Sequence, residues 1–213
     1  MKKTTVKDID GNSYKTVKIG YQIWMAESLK VDHYRNGDLI PDFLDKNEWA
    51  ETSEGSCCYY NDVNTDDLTG QSYGRLYNMH AIIDKRGLAP KGWHVPTKYD
   101  WEELIDYLGG WKVAGGILKS KKFWMEPNVG ATNESGFNAF ASGFRTNSRS
   151  SYNYKRNFYK RAGDLACFWT STMDDSKRLV YMMLRSHSTC IDGGIIPSRS
   201  GLSVRCVRDK REL

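Results

Sequence analysis

The sequence predicts an α+β fold of many short strands, few helices and long irregular loops, and three observations carry that expectation. Residues 88 to 109 hold one strongly marked helix. Alternating apolar segments near the start and the end of the chain read as strands. Nineteen Gly, seven Trp, thirteen Tyr and seven Phe accompany only 39% hydrophobic residues. That balance suits short aromatic strands and loops better than long aliphatic runs. At 213 residues the chain is long enough to bury a sizeable core, and a single domain over 1–213 is the expectation.

The helix is justified residue by residue. Thr97 is an N-cap whose hydroxyl can accept from free first-turn N–H groups, and Asp100 puts a carboxylate at the positive end of the dipole. Trp101, Leu104, Ile105 and Leu108 fall at i, i+3, i+4 and i+7 and form one apolar stripe, with Glu102, Glu103 and Asp106 off it. Gly109–Gly110 supplies a stop. Pro90, Gly92 and Pro96 bracket Trp93 in a short rigid entry.

Residues 4 to 26 read as β structure, with Asp10-Gly11-Asn12 as a turn and Gly20 as a second turn or bulge. Trp24 lies opposite Tyr21, Ile23 and Met25, so that strand is expected to be buried on both sides. Residues 30 to 56 lack a sustained period and hold at most a helical turn at Glu48 to Glu51. Cys57 to Tyr60 is a small strand, 61 to 72 an Asp/Asn/Thr/Gly loop, and Leu76 to Ile83 a short helix on a Leu76, Met79, Ile83 face. Residues 113 to 124 make a short helix or turn, and turn chemistry dominates 125 to 148. Residues 166 to 172 and 178 to 186 are strand candidates, and 188 to 201 is a turn-rich excursion. The closing strand, 202 to 209, alternates Leu202, Val204 and Cys206 with polar Ser203 and Arg205.

The segments VKIGYQIWMAESL, CYYND, YGRLYN, APKGWHVPTKYDWEEL, ILKS, NESGFNAFASGFR, CFWTST and GLSVRCVRD occur in this order. Together they resemble the Fibrobacter succinogenes major paralogous domain family over roughly residues 5 to 209. The GWHVPTKYDWEEL and SVRCVRD pair is also similar to the ends of formylglycine-generating-enzyme-like domains. The resemblance implies a C-type-lectin-like α+β fold: small antiparallel sheets, flanking helices and long loops. Members often carry a cysteine before the Pro-x-Gly-Trp motif where this chain has Ala89, so the family's disulfide pattern does not carry over to Cys206. The pairing of Cys57, Cys58, Cys167, Cys190 and Cys206 stays open, with at most two disulfides possible.

Composition narrows the function. The net charge of +5 is spread thinly apart from residues 155 to 161 and the C-terminal tail, and no nucleic-acid motif is present. No apolar run approaches the ~20 residues of a membrane span. Nucleic acid and membrane insertion are therefore not expected as partners. Two lysines open the chain without an apolar stretch behind them, which leaves a cytoplasmic origin, as for phage structural proteins, or a missing leader.

Three chemistries compete. His33, His80, His94 and His187 show no metalloenzyme spacing, and His94 beside Trp93 reads as structural. Cys190 and Cys206 flank the region of the formylglycine-type cysteine pair without matching its motif. Glu126-Pro127-Asn128 spells a tripeptide used by calcium-dependent lectins, but its companion Trp-Asn-Asp motif is missing; Asp62, Asn64, Asp66 and Asp67 lack the spacing of a known calcium loop. No cofactor is expected. The third reading is recognition: residues 146 to 161 and 185 to 201 are rich in Tyr, Asn, Ser, Arg, Gly, His and Asp, types that make adaptable contact surfaces. The expected contacts are Tyr152, Tyr154, Arg156, Asn157, Tyr159, Arg185, His187 and Asp192, meeting a protein or glycan on a cell surface. RSHSTCIDGGIIPSRSG holds little outside the residue set that adenine-directed, retroelement-driven diversification produces, so a variable protein on a cell surface or phage particle is the sharper form of this expectation.

Overall fold

A computed structural model describes residues 4–43, 46–60, 73–146 and 159–210. Strands β1 (Thr5–Lys7), β2 (Ser13–Ile19) and β3 (Gln22–Met25) form an antiparallel meander. Its first turn is closed by Gly11 N–H donating to Asp8 O, with Gly11 at φ +81° where a side chain would be strained. Helix α1 (Lys46–Glu51) is the short turn anticipated before β4 (Cys57–Cys58). Strand β5 (Leu76–Tyr77), helix α2 (Met79–Ile83) and β6 (Trp93–His94) precede the main helix α3 (Lys98–Tyr107). Helix α4 (Ala114–Leu118), β7 (Phe144–Arg145) and β8 (Tyr159–Lys160) follow. Strands β9 (Leu165–Met173), β10 (Leu179–Arg185), β11 (Ile191–Ile195) and β12 (Val207–Arg208) complete the chain.

The strands assort into a five-stranded sheet, β1-β2-β3-β12-β6, a three-stranded sheet, β11-β10-β9, and the pairs β4-β5 and β7-β8. Every paired ladder is antiparallel. The fold is thus mixed helix and strand, as expected, and the last strand joins the N-terminal meander through β3, where Val207 lies opposite Trp24.

Helix α3 forms as its sequence dictates. Thr97 Oγ1 accepts from Asp100 N–H at 3.1 Å while Asp100 Oδ2 accepts from Thr97 N–H at 2.8 Å, a complete capping box. Trp101, Leu104 and Ile105 are buried, and Leu108 is partly buried. The stripe packs on an aromatic cluster in which Trp101 lies 5.2 Å from Trp24, 5.6 Å from Phe137 and 5.6 Å from Phe168, centroid to centroid. His94 bonds outward from β6 to Asp209 (2.7 Å) and to Asp100 (3.2 Å), tying the chain end to the helix cap. It is structural, as read.

Four expectations are corrected. Leu76 to Ile83 is not one helix: Leu76 and Tyr77 pair with Cys58 and Cys57, and the helix starts only at Met79. Asn78 sets that boundary, because its Oδ1 accepts from both Ala81 N–H and Ser56 N–H at 3.0 Å. Ile83 is exposed instead of sharing the buried face. The excursion after Arg185 contains β11, which covers the outer edge of β10 from Leu184 to Val180. The closing strand does not run from 202 to 209: only Val207–Arg208 forms β12, and Gly201 to Val207 are all buried, Ser203 and Arg205 included. Ser203 reaches Ser142, their hydroxyls 2.9 Å apart, and Arg205 donates to Phe137 O and to Ser28 Oγ. Its guanidinium stands 4.4 Å from the Phe137 ring centroid. All five cysteines are free thiols.

Two measurements test this account. Thr97→Ala is expected to cost about 1 kcal/mol and Thr97→Ser much less, read as urea-midpoint shifts at unchanged slope. Asp100 and, beyond it, Asp209 hold the His94 imidazolium above its ordinary range against the pull of burial. This contribution is present below about pH 6.5 and lost as pH rises through the higher folded-state value. For Asp100, burial pushes the carboxyl up but bonds from His94 and Thr97 outweigh it and bring it to about 2. Its contribution runs the other way, present above the ordinary carboxyl range and lost as pH falls toward about 2. His94→Gln is expected to lower the melting temperature at mildly acidic pH more than at neutral pH, removing the gain that His94 protonation gives, while an acid limb remains because Thr97 still bonds Asp100.

Candidate functional site

The described ends of the two polar segments come together at one place. Arg145 and Tyr159 pair across β7–β8, so the chain on either side of 147–158 is joined at its root. Arg145 also bridges Gly201, the end of the second segment. On the far side of β8, Asp164 O accepts from Ser186 N–H at 2.9 Å and Asp164 Oδ1 accepts from Ser186 Oγ–H at 2.6 Å. Residues 159–164 and 185–201 therefore share a rim. The sequence suggested both segments but not that contact.

Tyr152, Tyr154, Arg156 and Asn157 lie outside the described residues, as do Asp62, Asn64, Asp66 and Asp67. Tyr159 is placed by its backbone in β8. Arg185 ends β10 and is ion-paired with Asp192 of β11, across the strand pair. His187 follows on the turn, 58% exposed at its side chain, with Nδ1 3.8 Å from Asp164 Oδ1. Asp164 is also 2.8 Å from the Arg161 guanidinium. Arg161 and His187 thus flank Asp164 while Arg185 pairs with Asp192, two sets of charges of both signs near the end of the β9-β10-β11 sheet.

The patch is held from beneath by a residue to which the sequence drew no attention. Lys119, directly after α4, is fully buried. Its Nζ donates to Val129 O (2.9 Å), Arg185 O (2.9 Å), Ser188 O (3.0 Å) and Ser186 O (3.3 Å). The indole of Trp124 lies 5.3 Å away. Burial pulls this amine down to about 8, while the four carbonyl dipoles favour the ammonium in the manner of a solvation shell. Further bonds fasten the same turn: Val129 N–H to Ser186 O (2.7 Å), Ile191 N–H to Trp111 O (2.9 Å) and Thr189 Oγ1–H to Lys112 O (2.7 Å). Gly115 is required here, since a Cβ on it would stand 2.7 Å from the carbonyl oxygens of Thr189 and Cys190. No sequence pattern marks a buried lysine. The only available signal was the Gly-Gly of α4, which announces a close backbone approach.

Other features weighed from the sequence take plain structural places. Glu126-Pro127-Asn128 is a turn closed by Asn128 N–H donating to Met125 O, and the Asn128 side chain donates to Ser120 O. Among the described residues no group of three or more His, Cys, Asp or Glu is placed to hold a metal ion. Cys206 is fully enclosed and burial pushes its thiol well up; Cys190 is half-buried, its sulfur 3.7 Å from Lys112 O. No helix among the described residues is long and apolar enough to cross a membrane.

Antiparallel sheets with few helices, carrying a loop-built polar rim, define the class as a mixed α and β scaffold with loops set on it. The family is defined by sequence: the Fibrobacter succinogenes major domain model matches residues 17–208, and the chain belongs to that family. No curated protein and no solved structure matches the chain.

Lys119→Met keeps the stem and removes the ammonium. It is expected to cost about 3 kcal/mol and to raise amide exchange at Val129 and Ile191 more than in α3, read by hydrogen-exchange mass spectrometry.

Proposed function

We propose that this chain is a non-catalytic, C-type-lectin-like binding module that meets a protein or glycan through its polar loops. The observation that carries the reading is the convergence of residues 159–164 and 185–201 on one rim, fixed by Asp164–Ser186 and by the Lys119 ammonium. Contact surfaces of this type need exposed, mixed-charge side chains on a rigid base. Arg185, His187 and Asp192 supply the first, with Tyr152, Tyr154, Arg156, Asn157 and Tyr159 proposed to extend it. The carbonyl-bound lysine supplies the second. Presentation on a cell surface or phage particle, and diversification of the 3′ coding end, belong to the same proposal.

The calcium-dependent alternative has less behind it, because the Asn128 side chain is folded into its turn, with its amide N–H on Ser120 O and its Oδ1 buried away from solvent. A thiol-dependent enzyme has less again. Its cysteine would need an accessible, electropositive setting, whereas Cys206 is sealed in the core.

An array of glycans and surface proteins, probed with and without calcium, tests the reading. Binding that survives chelation and falls at least tenfold in the Arg185→Ala/His187→Ala double variant, with melting temperature within a few degrees of the parent, is the expected result. Undiminished binding in that variant, or binding abolished by chelation, would overturn it. In the genome, a near-copy of the 3′ coding end differing mainly at adenines is expected close by; its absence from a complete sequence removes the diversification step alone.

A further inference from the structure

A second concave place in the molecule lies away from the polar rim. A cleft of about 300 Å³ opens beside β2 and the turn after β3, lined by Lys15, Glu27, Ser28, Lys30, Asn138 and Phe140 among others. That volume is at the lower end for small-molecule sites. Its polar groups are nearly all donors. Lys30 has no carboxylate within 4 Å among the described residues. Asn138 uses its Oδ1 to accept from Asn133 Nδ2 at 3.2 Å, which leaves its own amide N–H groups to point elsewhere. Glu27, the one carboxylate of the lining, already accepts from Lys15 N–H at 2.9 Å and stands 4.0 Å from the Lys15 ammonium.

Behind this lining lies Arg205, a fully buried guanidinium. Its contacts are the Phe137 carbonyl, the Ser28 hydroxyl at 3.3 Å and the rings of Phe137 and Phe168. Its Nε has no hydrogen-bond partner, and no carboxylate pairs with it among the described residues. A buried charge in that state is costly unless negative charge is brought near. Ser28 is the link: its Oγ accepts from Arg205, which leaves its O–H free to donate, and Ser28 itself lines the cleft. Burial draws Arg205 down to about 9, and the Glu27 carboxylate of the cleft lining opposes that pull from a distance without forming an ion pair.

We propose that this cleft binds a compact molecule through an oxyanion group, with Ser28, Lys30 and Asn138 donating to it and Arg205 supplying positive potential from behind. The class is a carboxylate, sulfate or phosphate, and Phe140 provides an apolar wall for whatever carries it. This site is independent of the rim proposed for recognition and shares no residue with it.

Titration calorimetry on the full chain tests the inference with four probes: glucuronate, inorganic sulfate, inorganic phosphate and neutral glucose. Saturable one-to-one binding of at least one anion is expected, with none of glucose and with weakening as chloride is added. Tighter binding of glucuronate assigns the site to acidic sugars; tighter binding of sulfate or phosphate assigns it to those groups. Lys30→Gln and Asn138→Gly, the second chosen because Asn138 has φ +58° and tolerates glycine, are each expected to weaken binding about tenfold. Thermal melting confirms that both remain folded. Saturable binding of none of the anions, or parent-like affinity in both variants, would overturn the proposal. Arg185→Ala/His187→Ala is expected to bind the anion as the parent does, which separates this site from the rim.

Discussion

One buried stretch of seven residues holds this fold together. Between Gly201 and Val207 the main chain reaches every sheet in turn: Gly201 exchanges bonds with Arg145, Leu202 with Tyr77, and Ser203 with the β9 strand through Cys167 and Trp169. Val204 O and Cys206 O then accept from Leu29 N–H and Met25 N–H, and Val207 sits between Trp24 and His94. A segment in that position has no outward face. Its polar side chains must find partners inside, which is why Ser203 meets Ser142 and Arg205 meets the Phe137 carbonyl. The cost is that Arg205 carries a charge into the aromatic cluster with no ion-paired carboxylate among the described residues.

The same constraint explains the tryptophans. Strands of two residues, such as β4, β5, β6, β7, β8 and β12, contribute too few ladder bonds to stand alone. Long-range side-chain bonds supply the missing connections. Trp169 Nε1–H donates to Tyr77 O at 2.7 Å, Trp124 to Ala139 O at 2.9 Å and Trp49 to Arg199 O at 2.5 Å. Each indole fills core volume and fixes one distant carbonyl at the same time. Aromatic content substitutes here for aliphatic runs.

What could be read in advance follows from how local each signal is. Helix α3 was legible to its cap because Thr97, Asp100 and the Trp101–Leu108 stripe act within a few residues of one another. The first meander was legible for the same reason. Strand β11 was not, since Gly193 and Gly194 read as turn residues and only the open edge of β10 makes them strand. The alternation at 202–206 was legible but its enclosure was not, because period two cannot tell a half-buried strand from one enclosed on both sides. In the site, Arg185, His187 and Asp192 were visible by composition. Asp164 and Lys119 were not, because their roles depend on Ser186 and on carbonyls from residues 129 to 188.

The manner of that anchoring bears on what the rim can be used for. Lys119 grips Arg185, Ser186 and Ser188 by their main-chain oxygens, and Val129 and Ile191 are tied in by main-chain bonds as well. Main-chain atoms are the same for every residue. Side chains at His187, Asp192 and Ile195 lie at partly or fully exposed positions, while Ile191 and Leu184 stay in the core. Ser186 and Thr189 add side-chain bonds of their own, but at His187, Asp192 and Ile195 a loop held mainly through its backbone keeps its path when outward side chains change. On the recognition reading, this is the property a surface needs if its specificity is to change without the scaffold being solved again each time. A buried lysine surrounded by carbonyls gives the turn that freedom.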